Sequence, residues 1–125
     1  MQKYQVELAG RPLRVTIERD AVARLAASPQ PLRVEMELYF SCLIRKRVRF
    51  LEMPPEADDV LVPNGISVGF RPVMTLGCGV HEAGGEPPLT DFPVRRAEAF
   101  TPHWLHIGLH QGQWQGEFGY DDGAP

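Results

Sequence analysis

The chain has 125 residues, 43% of them hydrophobic and 23% charged, which suits one globular domain spanning 1–125 around a single core. A net charge of −3 argues against a nucleic-acid binder, which would carry a basic excess. MQKYQVELAG has no apolar secretion core, no run approaches the ~18 apolar residues of a membrane span, and two cysteines make no disulfide framework; the expected setting is cytoplasmic, with reduced thiols and no membrane contact.

Residues 4–17 predict a β-hairpin: Tyr4, Val6 and Leu8 alternate with polar residues, and so do Leu13, Val15 and Ile17. A four-residue turn at Ala9-Gly10-Arg11-Pro12 sets Leu8 against Leu13 and Glu7 against Arg14. Asp20 is placed to cap a helix over 21–27 whose apolar stripe is Val22, Leu25 and Ala26. Pro29 and Pro31 end it, since a residue before proline avoids helical angles.

Residues 32–52 alternate on both sides of Cys42, so they fold into a hairpin with Cys42 at its tip. That register pairs Val34 with Phe50, Met36 with Val48 and Phe40 with Ile44 on one face. The other face pairs Glu35 with Arg49, Glu37 with Arg47 and Tyr39 with Arg45; only Leu38 opposite Lys46 is discordant. A slip of one residue would turn the arginines onto the apolar face. After Met53-Pro54-Pro55, residues 60–70 predict a second hairpin turning at Asn64-Gly65, a pair suited to a type I′ turn. Residues 82–93 have no periodicity and are expected to form an exposed loop. Two readings exist for the C-terminal third. Thr101-Pro102 can open a helix over 102–111, or Leu105, Ile107 and Leu109 can form a strand that turns at Gln111-Gly112 and returns through Trp114, Phe118 and Tyr120. Gly108, Gly112 and Gly116 weaken a helix and favour the strand.

From the short helix onward, the order of elements is Leu32-Arg33-Val34, a lone Cys42 between strands, Asp58, and a hairpin around Gly65. Over residues 15–72 this resembles the HesB-like domain of A-type iron–sulfur carrier and assembly proteins. The resemblance implies a HesB-like fold and transfers one ligand by position, Cys42. The chain departs from the family in having no glycine in Phe40-Ser41-Cys42-Leu43 and no C-terminal Cys-Gly-Cys; Cys78 falls too early to match.

Among ligand-bearing residues, Cys42, Cys78 and His81 are the candidate metal set. Cys78-Gly79-Val80-His81 spaces two ligands on one loop, and thiolate with imidazole suits zinc or an iron–sulfur cluster. The plainer alternative makes Cys42 a turn residue and Cys78 a small buried hydrophobe. His103, His106 and His110 share one face only on a helix. Arg45, Arg47 and Arg49 form a basic stripe, read either as a strip for phosphate or an acidic partner or as a salt ladder with Glu35 and Glu37. Trp104, Trp114, Phe118 and Tyr120 read as core and sheet-face residues rather than a stacking platform. No P-loop, dinucleotide fingerprint or serine elbow is present.

The expected architecture is α+β and strand-dominated, antiparallel hairpins with one short helix. The expected function is non-catalytic: a HesB-like accessory protein that binds a metal or iron–sulfur cluster or assists its assembly. The alternative is a cofactor-free protein–protein interaction module, a homodimer joined through a sheet edge being one form of it.

Overall fold

A computed structural model describes residues 1–28, 30–40, 45–63, 65–75, 89–91 and 100–120. The elements run β1 (Gln2–Leu8), β2 (Arg11–Ile17), α1 (Arg19–Ala27), β3 (Leu32–Phe40), β4 (Arg45–Leu51), β5 (Val60–Leu61), β6 (Ile66–Thr75), β7 (Leu89–Asp91), β8 (Trp104–His110) and β9 (Gln113–Gly119). Strands dominate, as expected, but the hairpins are joined into two mixed sheets rather than purely antiparallel ones. One sheet has the order β1-β2-β8-β9, the other β4-β3-β6-β5, with β7 also on β6. Each is built around one parallel pair, β2 with β8 and β3 with β6, flanked by antiparallel partners.

The sheets face each other across the core. Leu13, Val15, Ile17, Leu105, Ile107 and Phe118 meet Val34, Met36, Leu38, Ile66 and Val68, all buried. Phe50 of β4 stacks on Trp114 of β9 (centroids 5.5 Å apart, planes at 15°), tying one edge of the sandwich. No helix among the described residues is long and apolar enough to cross a membrane.

The β3–β4 register is the expected one throughout its described length: Val34↔Phe50, Glu35↔Arg49, Met36↔Val48, Glu37↔Arg47, Leu38↔Lys46 and Tyr39↔Arg45. The discordant pair resolves simply. Leu38 stays in the core, while the Lys46 ammonium leaves its own strand and donates to the Phe118 carbonyl at 3.0 Å. The Phe40–Ile44 pairing and Cys42 lie outside the described residues.

The first hairpin differs by two residues. Leu8 pairs with Arg11, Val6 with Leu13 and Gln5 with Arg14, around a two-residue turn in which Ala9 (φ 52°) and Gly10 (φ 76°) are both left-handed. A shift of two keeps every side chain on its face, so alternation alone cannot tell the registers apart; the primed turn wins because its twist matches the strands. Gln111 (φ 52°) and Gly112 (φ 79°) make the equivalent turn between β8 and β9, and the strand reading of the C-terminal third holds.

The 60–70 hairpin also closes differently. Val62 N donates to Ile66 O (2.9 Å) and Gly65 N to Val62 O (2.9 Å), so the hairpin closes between Val62 and Ile66. A two-residue loop at 64–65 would have needed a donor from Pro63, which has none. Gly65 is at φ 94° as expected. Within the expected loop at 82–93, Leu89–Asp91 is a strand on β6; the rest of that stretch lies outside the described residues.

The helix begins earlier than expected. Its N-cap is Glu18, without a side-chain capping bond, and Asp20 lies in the first turn. Ala21 is buried, Val22 and Leu25 are partly so, and Ala26 is exposed.

Candidate functional site

The outer face of the second sheet carries the densest chemistry. The pleat turns Arg33, Glu35, Glu37 and Tyr39 of β3 away from the core. Beside them lie Arg45, Arg47 and Arg49 of β4, and Ser67, Gly69 and Arg71 of β6. The carboxylates are not an exposed ladder, as the alternation suggested. Glu35 is 5% exposed, Glu37 1% and Arg33 6%. A charge so enclosed must be paired, and each is.

Arg33 is held by Asp59, through Nε to Oδ2 at 2.7 Å and Nη2 to Oδ1 at 3.1 Å. Its Nη1 is 3.2 Å from Glu35 and 3.6 Å from Glu56. The Asp59 hydrogen bonds raise the guanidinium pKa above its ordinary value, against burial. Gly69 makes room for this pair: a Cβ there would fall 2.4 Å from Asp59 Oδ1.

Glu35 and Glu37 are shifted in opposite directions. Burial first, and the hydrogen bond to Glu37 second, push the Glu35 carboxyl above the ordinary carboxylate range, although Arg33 is adjacent. Burial acts on Glu37 in the same direction but is outweighed. Hydrogen bonds from Tyr39 (2.7 Å), from the Glu35 carboxyl and from Arg49 hold it below the ordinary range. Arg49 Nη1 lies 3.5 Å from Glu35 and 3.4 Å from Glu37. Burial, and then donation to Glu37, raise the Tyr39 hydroxyl, which also accepts from Arg47. The expected Glu37–Arg47 neighbours are aligned, yet the short contact to Glu37 comes from Arg49.

Among the clefts lined by described residues, two adjoin the sheets. One, of about 710 Å³, lies between the end of β1, residues 56–59, Gly69–Pro72 and Thr101. The other, of about 760 Å³, is lined by Phe50, Leu109 and Trp114, with Glu18, His106 and His110 at its polar side. There His106 Nε2 lies 2.7 Å from Glu18 Oε2, while Nδ1 is enclosed and without a partner.

Of the residues expected to bind metal, Cys42, Cys78 and His81 all lie outside the described residues. His103, His106 and His110 do not converge. His106 and His110 lie on one face of β8 but ~13 Å apart, and His103 packs edge-on against Tyr120 (5.5 Å, 69°). Among the described residues no three His, Cys, Asp or Glu side chains group as a metal site. Phe118 and Trp104 are buried and Trp114 is stacked, as expected of core and sheet-face residues. Two cations do reach these rings: Arg24 lies over Trp114 at 5.9 Å and Lys46 over Phe118 at 5.8 Å. Burial pushes the Tyr120 hydroxyl up to about 12, and it donates to Phe100 O at 2.6 Å.

Sequence reasoning missed the burial of Glu35 and Glu37 and the role of Asp59 in holding Arg33. The one available signal was the Arg33-x-Glu35-x-Glu37 alternation itself, since like charges two residues apart on a strand face need neighbours to hold them. No family model, curated protein or solved structure matches this chain.

Proposed function

We propose that this domain is a non-catalytic binding module whose basic face receives an acidic segment of a partner protein. The observation behind this reading is the unequal charge on the outer face of the second sheet. Arg45, Arg47 and Arg71 are exposed there, and Arg49 is partly so. The carboxylates between them are engaged inside the sheet: Glu35 lies 3.2 Å from Arg33 and 3.5 Å from Arg49, and Glu37 is held by Tyr39 at 2.7 Å and Arg49 at 3.4 Å. Neither Arg45 nor Arg47 has an ion pair shorter than 4 Å with a described carboxylate. Successive arginines on β4 are ~7 Å apart, the spacing of alternate carboxylates on an extended chain. The molecule as a whole is acidic, so the positive potential is local and steers one kind of partner.

The test is titration of the chain with a glutamate-rich peptide, followed by NMR. Saturable shifts along β4 that weaken with salt, and that are lost in Arg45→Glu/Arg47→Glu, are expected. Shifts elsewhere, or undiminished binding by that variant, would overturn the reading. Light scattering at several concentrations shows whether a second copy supplies the acidic segment.

A second reading keeps the metal or iron–sulfur cluster on Cys42, Cys78 and His81. It rests on the resemblance over residues 15–72 and on the Cys78-Gly79-Val80-His81 spacing. Anaerobic purification with an absorption spectrum and metal analysis tests it. A metal-free protein that takes up neither zinc nor a reconstituted cluster would exclude it.

A further inference from the structure

β1 is the outer strand of the first sheet, and its neighbours fix which way its backbone groups point. Arg14 N donates to His103 O at 3.0 Å and Glu18 N to Ile107 O at 2.9 Å, so even-numbered residues of β2 turn their polar groups to β8. The odd-numbered ones therefore serve β1, where Arg11, Leu13, Val15 and Ile17 stand opposite Leu8, Val6, Tyr4 and Gln2. Lys3, Gln5 and Glu7 are left with N–H and C=O groups aimed away from β2. Among the described residues no strand pairs with that side. The three side chains are exposed, and Lys3 and Glu7 have no ion pair among the described residues.

The remaining sheet edges are not open in this way. On β9, the Lys46 ammonium already takes the Phe118 carbonyl at 3.0 Å. Val48 also packs over Gly116, where an added Cβ would stand 2.6 Å from Cγ1. β4 could pair with its own copy only by setting Arg45, Arg47 and Arg49 against one another, since opposed residues must share a face. β5 is two residues long.

β1 has the opposite character. A second β1 laid antiparallel beside it must set odd residues against odd ones, to keep both the faces and the hydrogen-bond phase. Centred on Gln5, that register places Lys3 against Glu7 of the second copy, Glu7 against its Lys3, and the two Gln5 side chains together on the axis. On the other face Tyr4 meets Val6 in both directions, an aromatic against a β-branched residue, and both are half-buried in the single chain. Met1, 64% exposed, falls opposite Ala9. Centring on Lys3 or on Glu7 would oppose like charges. Centring on Tyr4 or Val6 would pair neither charge with its opposite. Charge and phase thus select one register.

We propose that this chain forms a two-fold homodimer by antiparallel addition of β1 to β1 of a second copy, in the register centred on Gln5. The pairing joins the two four-stranded sheets into one and supplies roughly six main-chain hydrogen bonds, two for each outward-facing pair. The contact is isologous, so it closes at two copies and does not propagate. It uses none of the arginines of β4, and either surface can fail without the other.

Sedimentation equilibrium of the full chain from about 10 µM to about 1 mM, the range suited to a small edge-to-edge interface, measures the dimer. Lys3→Glu and Glu7→Lys each put two like-charge pairs in place of two opposite ones, and each is expected to weaken self-association about tenfold or more. Their circular dichroism stays that of the parent, because both side chains are exposed and hold nothing in the single chain. Mixed together, the two variants restore opposite charges at every pair and associate with each other in preference to themselves. The double variant Lys3→Glu/Glu7→Lys recovers the parent's association. Arg45→Glu/Arg47→Glu leaves the dimer unchanged. A parent that stays monomeric at the top of the concentration range would overturn the proposal. So would a dimer untouched by either single variant, a mixture without preferential pairing, or a dimer lost on charge reversal of β4.

Discussion

Replacing Gly69 by alanine probes the buried charge pair that organises the second sheet's outer face. An added Cβ would stand 2.4 Å from Asp59 Oδ1, 2.6 Å from Arg33 Nη2 and 3.4 Å from Asp59 Cγ. Neither side chain can yield freely. Their exposures are 2% and 7%, and Asp59 is anchored by Arg33 Nε at 2.7 Å and by the Glu56 amide at 2.9 Å. Breaking a buried pair outright costs about 3–5 kcal/mol. A displaced Arg33 keeps Glu35 and Glu56, so the expected loss is about 2 kcal/mol, from which the lower chain entropy of alanine returns roughly 0.5 kcal/mol. The unfolding midpoint should fall by about 6 °C or more. Chemical denaturation of Gly69→Ala, Asp59→Ala and the double variant isolates the cause. Asp59→Ala alone is costly because it strands Arg33, but it also clears the space, so adding Gly69→Ala to it should cost less than about 0.5 kcal/mol. Two single effects that simply add, or a Gly69→Ala midpoint equal to the parent's, would refute the steric reasoning.

The Glu35–Glu37 pair predicts a stability maximum near the ordinary carboxylate range. Glu35 titrates above its unfolded value of about 4.5, so its contribution is complete below that value and is lost as pH rises through the folded pKa. Glu37 titrates below the same value, so its contribution is present above it and is lost as pH falls through the folded pKa. Glu35→Gln cannot ionise, so its denaturation midpoint should fall less than the parent's as pH rises above the ordinary carboxylate range; parallel declines would count against the upward shift of Glu35. At Gly65, where φ is 94° and nothing lies within 4 Å of an added Cβ, valine should cost about 1 kcal/mol or more through the backbone alone. Asparagine, which tolerates that region, should cost less, and equal thermal midpoints for glycine and valine would be inconsistent with the turn.

Much of this architecture was legible locally. The β3–β4 register could be read to the residue because both faces constrain it: apolar residues pair on one side, glutamates with arginines on the other, and any slip of one residue mixes them. The first hairpin had only its faces to constrain it, and a two-residue shift preserves faces, so its register was decided by Ala9-Gly10 adopting a primed turn. Gly108, Gly112 and Gly116 disfavoured a C-terminal helix, and the register shows why two of them suit a strand. A Cβ at Gly108 would meet Glu18 Oε1 at 2.5 Å, and one at Gly116 would meet Val48 Cγ1 at 2.6 Å.

The two parallel pairings were not legible. β2 reaches β8 across the whole second sheet, and β3 reaches β6 across β4 and β5; neither crossing leaves a trace in periodicity, which reports only a strand's own faces. That gap is also why the burial of Glu35 and Glu37 was not legible. A strand in a lone hairpin has one wet face, and alternation alone puts Glu35 and Glu37 on it. A central strand has neighbours on both sides, and Arg49, Gly69 and Arg71 enclose those same carboxylates. Once enclosed, two carboxyls on one face cannot both remain charged at low cost, and their pKa values are pushed apart, Glu35 above the ordinary range and Glu37 below it. Their placement thus turns a ladder of exposed pairs into an internal brace and leaves the arginines of β4 with more charge than the sheet consumes.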